Sequence, residues 1–291
     1  MKRFVKGFYR WLTLFPHYVF AGYSKTRSLK EIKRIMDDYD MVKAPSEDYF
    51  KQRYLAIINE VLRRNFTHNI SLKILDAGCG QGRITIELAK MGHKIDAIDV
   101  VKSALEKGKK YAEQQNVHNL INWQQGKLPE CLSQYMDNGY DLVLCLEVLY
   151  MMSWSESKKT LEELARKVKN NGVIMISVRP RFYYLAYSLM RNDFKKFRWC
   201  ATHNDFLGLG EHLCWADVNQ MTKLLEQLGF RDLGMKGIRI FSGIEGDPTS
   251  FLAIPHLLST EERRILSDVE DSYSNFYTDH CRYTVFWGTR L

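Results

Sequence analysis

The sequence predicts an α/β fold built on a doubly wound, mostly parallel sheet, and three observations carry that prediction. Short apolar runs alternate with helical spacing from residue 73 to 178, as strands linked by crossover helices do. Residues 141–146 form a nearly continuous apolar run, which suits a strand covered on both faces. A glycine-rich turn, residues 78–82, joins the first strand to the helix after it.

Each element has a local justification. Helical spacing begins near Glu47, with Tyr54, Ile57, Ile58, Val61 and Leu62 on one face and the polar Arg63-Arg64-Asn65 at its end. Residues 73–77 read as a strand, 84–91 as the helix after the turn, 94–99 as the second strand and 103–115 as its helix. Residues 121–123 make a weaker strand that ends at Gly126. Ser153-x-x-Glu156 is a capping box for a helix carrying Leu161, Leu164 and Val168. Asn171-Gly172 is expected to stop that helix before a buried strand at 173–178.

Beyond residue 178 the pattern loosens. Residues 179–214 are rich in aromatic and basic side chains and show little periodicity. A helix is expected over 216–228 with Gly229 as its stop, a strand over 238–241, and a helix capped by Ser259-x-x-Glu262. Alternation at 283–287 marks an edge or near-edge strand. The expected organisation is an N-terminal arm at 1–43 and one domain at 44–291. Cover insertions are placed at about 179–214 and 242–280.

Composition excludes several classes. Of 291 residues, 45% are hydrophobic and 26% charged, which is ordinary for a globular chain and rules out wholesale disorder. Six cysteines at 79, 131, 145, 200, 214 and 281 form no C-x-x-C pair, so a zinc ribbon or a secreted disulfide scaffold is not expected. No run of 18 uncharged apolar residues exists to span a bilayer. The net charge of +8 resides in residues 1–34, where nine Lys and Arg face Glu31 alone, and the remaining chain is neutral. A basic track for nucleic acid is therefore not expected on the domain.

Asp76-Ala77-Gly78-Cys79-Gly80-Gln81-Gly82 is the informative stretch. Its glycines allow close backbone approach to a ligand, and the following helix offers free N–H groups. Asp99 ends the second strand, where a carboxylate accepts from both hydroxyls of a ribose. The Gly-x-Gly-x-Gly spacing differs from the dinucleotide fingerprint, which weakens a NAD or FAD reading.

These residues resemble the class I S-adenosylmethionine-dependent methyltransferases. Residues 74–82 look like that family's first motif, 97–100 like its second, and 140–149 like its fourth-strand motif. The resemblance covers about residues 48–178, is nearest the small-molecule, quinone-pathway-like branch, and implies a seven-stranded Rossmann-like sheet. It places Asp76, Gly78, Cys79, Gly80, Gly82, Val100 and Cys145 by the cofactor, with Asp99 at its ribose and Leu128 near its adenine. Arg53 is read either as reaching the cofactor carboxylate or as a solvated helix face. The family's Glu-x-x-Glu-His is replaced here by Glu147-Val148-Leu149-Tyr150-Met151, so Glu147 is either structural or catalytic. His212 is the candidate general base, and no metal site is expected.

The resemblance implies an enzyme that methylates an oxygen or nitrogen of a small, aromatic or lipid-like acceptor. An RNA or protein methyltransferase, or a non-catalytic cofactor-binding subunit, is the alternative. Arg179 and Arg181 leave the fifth strand at its ligand-facing end, either to hold an acidic substrate group or to pack beside Phe182 and Tyr183. Tyr183, Tyr184, Tyr187, Phe194, Phe197 and Trp199 are expected to cover the acceptor. In the arm, Phe4, Phe8, Trp11 and Phe15 share a helical face opposite Lys2, Arg3, Lys6 and Arg10. That face docks either on the domain or, through residues 1–20, on an anionic membrane. The expected location is cytoplasmic, with the inner membrane face as the peripheral alternative.

Overall fold

The computed structural model describes residues 33, 36–66, 70–208, 211–243 and 252–291. The aromatic face of the arm, Phe4 to Phe15, lies outside the described residues, and of the arm only its end is described. Helix α1 (Pro45–Asn65) opens the domain, followed by β1 (Lys73–Ala77), α2 (Thr85–Lys90), β2 (Lys94–Asp99), α3 (Lys102–Gln114) and β3 (Ile121–Gln125). Then come β4 (Tyr140–Cys145), α4 (Trp154–Lys167) and β5 (Val168–Val178). The chain goes on through α5 (Arg181–Met190), α6 (Phe194–Thr202), the hairpin β6 (Asp205–Gly208) and β7 (Glu211–Cys214), and α7 (Val218–Gln227). It closes with β8 (Phe230–Ile238), α8 (Thr260–Tyr273) and β9 (Tyr283–Arg290).

The main sheet has seven strands in the order β3-β2-β1-β4-β5-β9-β8. The first five are parallel, and β9 runs antiparallel between β5 and β8. Side-chain alternation sends successive residues to opposite faces, and both faces are buried. Ile74, Leu142, Leu144 and Met175 meet Tyr54, Ile58 and Val61 of α1 on one side. Leu75, Val143, Ile174 and Phe286 meet Leu161 and Leu164 of α4 and Met221 and Leu225 of α7 on the other. The sheet is thus doubly wound, and strand order reverses between β1 and β4. The crevice at their C-terminal ends is where such sheets bind ligands.

Three boundaries differ from the expected ones. Helix α4 stops at Lys167, and Asn171, with φ of 60°, serves a turn inside the longer strand β5 instead of a helix cap. The strand expected at 238–241 lies upstream as β8. Its signal was blurred by Gly234, where an added Cβ would fall 2.3 Å from the Trp287 ring, and by a register shift between Arg231 and Gly234. The segment after β5 contains two helices and a two-stranded sheet that periodicity did not show.

Candidate active site

The glycine turn takes its shape from backbone conformations that favour glycine. Gly78, Gly80 and Gly82 have φ of 88°, 55° and 81°. At Gly78 a Cβ would come 2.2 Å from Val148 Cγ2, so the turn lies tight against the segment after β4. At Gly80 the nearest atoms to such a Cβ are Met36 Cε at 3.8 Å and Met41 Sδ at 3.9 Å, leaving that face open. Asp99 fixes the turn to β2: its Oδ2 accepts from the Gly80 N–H and its Oδ1 from the Val101 N–H, each at 2.8 Å.

This turn forms one wall of a cavity of about 880 Å³, within the range of small-molecule sites. Asp76, Gly78, Cys79, Gly80, Asp99, Val100 and Leu128 line it, as does Glu147. The other three residues assigned to the cofactor lie elsewhere. Arg53 is held by Asp271 and by the Ser267 hydroxyl at 2.8 Å, fastening α1 to α8. Gly82 packs beneath the Trp123 ring. Cys145 is wholly buried in the core on the α4 side of the sheet. His212 sits on β7 opposite Leu207, and the end of β7 is tied to Leu149 through Cys214 Sγ at 3.1 Å.

The cavity's aromatic lining differs from the expected one. Tyr183 and Tyr184 are buried in a separate cluster with Cys200 and Trp215, and Phe194 and Trp199 are exposed. Among the described residues, Arg179 is the part of 179–214 that reaches the cavity, whose rings come from Tyr39, Tyr150 and Tyr283. Arg181 instead binds Asp217 at 2.8 Å and the Cys200 and His203 carbonyls at 2.6 Å. It thereby holds the cover together.

Gln81 and Arg83 are among the site residues that the sequence does not single out. Gln81 accepts from the Met41 N–H at 2.9 Å and donates to the Met36 and Tyr39 carbonyls at 2.8 and 2.7 Å. It staples residues 36–41 over the turn, and Lys107 adds bonds to the Met36 and Asp37 carbonyls at 2.7 Å. Nothing in the sequence marks Gln81 apart from its place in the turn. Arg83 is buried beside the turn, paired with Glu47 and, at 3.1 Å, with Glu147. A charge between Gly82 and Ile84, at the mouth of a buried helix, was the available signal.

Burial and these pairings set the charges. Desolvation pushes the Asp76 carboxyl up to about 6, against the Thr85 hydroxyl that donates to it at 2.6 Å. Burial also raises Asp99, opposed by its backbone N–H donors. Burial acts on Glu147 in the same direction, but Arg83 and Arg239 outweigh it and hold the carboxyl down at about 2. Such a carboxylate stays ionised and is a poor proton acceptor. Glu147 and Arg239 both adopt left-handed backbone, with φ of 59° and 60°, an uncommon conformation that non-glycine residues keep where surrounding contacts impose it.

Fold and cavity together define a doubly wound α/β domain with a ligand site at its switch point. Residues 68–229, over half of the chain, match the family described as a methyltransferase domain, and the chain belongs to that family. It is 35% identical over 125 residues to a ubiquinone biosynthesis O-methyltransferase of Rickettsia akari, covering 43% of this chain and 47% of the relative. To the Rickettsia prowazekii protein of the same name it is 34% identical over 127 residues, covering 44% and 48%. The match thus spans about half the length of these curated relatives.

Two solved structures show the likeness of fold. Magnesium protoporphyrin IX methyltransferase from Synechocystis, with SAH bound, superposes with a TM-score of 0.56 at 16% identity, covering 91% of this chain and 95% of that one. An O-methyltransferase family protein from Burkholderia thailandensis gives 0.58 at 12% identity, covering 98% and 70%.

Proposed function

We propose that this chain transfers the methyl group of S-adenosylmethionine to an oxygen or nitrogen of a small, aromatic or lipid-like molecule. The observation that carries this reading is one continuous cavity that runs from the Asp99 side of the glycine turn to the ends of β4 and β5. The residues present fit the cofactor. Gly80 leaves space where a side chain would intrude, and Asp99, though it accepts from backbone N–H groups, keeps acceptor capacity for ribose hydroxyls. When bound, S-adenosylmethionine supplies an electrophilic methyl on a sulfonium centre.

The chain's own part is to bind, orient and exclude water. Residues 36–41, stapled by Gln81 and Lys107, close one side of the cavity. Leu128 and Val100 give an apolar seat beside Asp99. Tyr150 and Tyr283 offer rings to an aromatic or apolar acceptor on the far side.

Calorimetry tests the cofactor site. Asp99→Ala removes charge-assisted hydrogen bonds of about 1.5–3 kcal/mol, an affinity loss of roughly ten- to a hundredfold. A bulky residue at Gly80 should abolish binding. Unchanged affinity in both folded variants would refute the assignment. Transfer of isotopically labelled methyl to a metabolite extract, read by mass spectrometry, tests the activity.

For the basic arm we favour packing on the domain over an anionic membrane, because residues 36–41 at its end are fastened to the turn. Among the described residues no helix is long and apolar enough to cross a membrane. Co-sedimentation with anionic vesicles of the full chain, but not of one starting near Ser24, would favour the membrane.

A further inference from the structure

Several of the described buried or half-buried arginines face a carboxylate. Arg53 pairs with Asp271, Arg83 with Glu47 and Glu147, and Arg181 with Asp217. Arg179, at the end of β5, has none. It is 7% exposed, and no described carboxylate lies within 4.0 Å of it. Its guanidinium lies over the Tyr150 ring at 3.9 Å and the Tyr183 ring at 4.7 Å. It donates to the Tyr283 hydroxyl at 2.9 Å and the Tyr184 hydroxyl at 3.4 Å. Burial pushes both phenols above their ordinary value, so these partners are neutral.

Arg239 is a second buried arginine near Tyr283. It stacks on Phe50 at 3.6 Å, its sole ion pair within 4.0 Å among the described residues is with Glu47 at 3.7 Å, and beyond that distance it is attracted by Glu147, which Arg83 already engages. Glu47 is already engaged by Arg83. The Nε of Arg179 and the Nε of Arg239 are both buried without a hydrogen-bond partner. The two guanidiniums lie 5.2 and 5.5 Å from the Tyr283 ring, and both residues line the cavity.

Buried cations without full compensation are unfavourable, and their presence at a cavity wall implies a counter-ion that arrives with the ligand. The planar fork of arginine matches the oxygens of a carboxylate or phosphate. We propose that the methyl acceptor carries such an anionic group and that Arg179 and Arg239 seat it beside Tyr283. This inference rests on the methyltransferase reading and adds the acceptor's chemical class. Arg179 lies away from the Asp99 end of the cofactor cradle: β5 is three strands from β2, whose end carries Asp99, a separation of roughly 14 Å at the usual strand spacing.

The test starts from calorimetry with S-adenosylhomocysteine on the full chain. A small-molecule extract is then split on an anion exchanger, and each fraction is incubated with enzyme and methyl-labelled S-adenosylmethionine. Label should enter molecules from the retained, anionic fraction. Arg179→Gln and Arg239→Gln should each raise the half-saturating amount of that fraction ten- to a hundredfold, with S-adenosylhomocysteine affinity unchanged. Arg179→Lys, which keeps the charge, should recover part of the loss.

Labelling from the unretained fraction at a comparable rate overturns the inference. So does a loss of S-adenosylhomocysteine affinity in the variants with acceptor saturation unchanged, since the arginines would then hold the cofactor's own carboxylate. Failure of the unaltered chain to bind S-adenosylhomocysteine would instead refute the methyltransferase reading itself.

Discussion

Arg83 joins α1, the glycine turn and the end of β4 through Glu47 and Glu147, so replacing it should change both stability and its pH dependence. In the folded protein the Glu147 carboxyl titrates at about 2, against an ordinary value of 4.5. A depressed carboxylate contributes stability that is fully present above the unfolded value and is lost as pH falls toward the folded one. The 2.5-unit difference corresponds to about 3 kcal/mol, present above about pH 5 and lost between there and pH 2. Its side chain is 16% exposed, so solvent screening removes little of this. Arg83→Gln removes the closest cation from two buried carboxylates and leaves them to Arg239 and, more weakly, Arg282, a change that typically costs about 3–5 kcal/mol. Urea unfolding at pH 7 should show that loss. A series from pH 6 to pH 3 should show the acid-side decline shrinking in Arg83→Gln. Glu147→Gln keeps the arginine and should flatten the same decline. If both variants lose stability on acidification as steeply as the unaltered chain, Glu147 is not held down by Arg83 and the electrostatic argument is wrong.

Asp76→Asn should act in the opposite direction. The Asp76 carboxyl is raised to about 6 from an ordinary 3.8, so its ionisation destabilises the folded state as pH rises through that interval. The variant should gain up to about 3 kcal/mol over the unaltered chain at pH 8 and nothing below pH 4, measured by urea unfolding. Parallel curves would sink this assignment. His212→Asn should leave methyl transfer within a few-fold of the unaltered rate, because the cationic seat makes the acceptor more acidic. A hundredfold loss with intact cofactor affinity would establish His212 as the base.

The parallel half of the fold was legible because its strands are buried on both faces and its helices on one, and each leaves a distinct period in the sequence. Residues 73–77 and 94–99 were read to the residue, and the capping boxes at Ser153 and Ser259 marked real helix starts. The antiparallel edge was harder. Strand β8 holds two glycines, Gly234 and Gly237, so its apolar alternation is broken where Trp287 and Cys281 need the space. At the site, the turn and Asp99 were legible because local backbone geometry demands those residue types. Arg83, Gln81 and Arg239 were not, since their roles depend on partners 36, 45 and 192 residues away, and no period or spacing encodes such pairings.

Arg53 illustrates the same limit from the other side. Its position on α1 suited a cofactor contact equally well, and only the placement of Asp271 on α8 decides against it. The segment after β4 shows what that means for chemistry. Where the resembled family carries Glu-x-x-Glu-His, this chain has Glu147 locked to Arg83, Val148 against Gly78, and Tyr150 beneath Arg179. Each of these residues touches a neighbouring group, and the Glu147 carboxyl is held well below neutrality. Among the described residues lining the cavity there is no histidine, and Asp76, whose carboxyl burial pushes up to about 6, is engaged by Thr85. Proton removal by a positioned base therefore has little support from these residues, whereas positive charge is abundant at the acceptor end. A field from Arg179 and Arg239 favours the ionised form of whatever lies beside Tyr283. The site is thus suited to an acceptor atom that arrives ionised or becomes so on binding, with orientation and water exclusion supplying the rest of the rate.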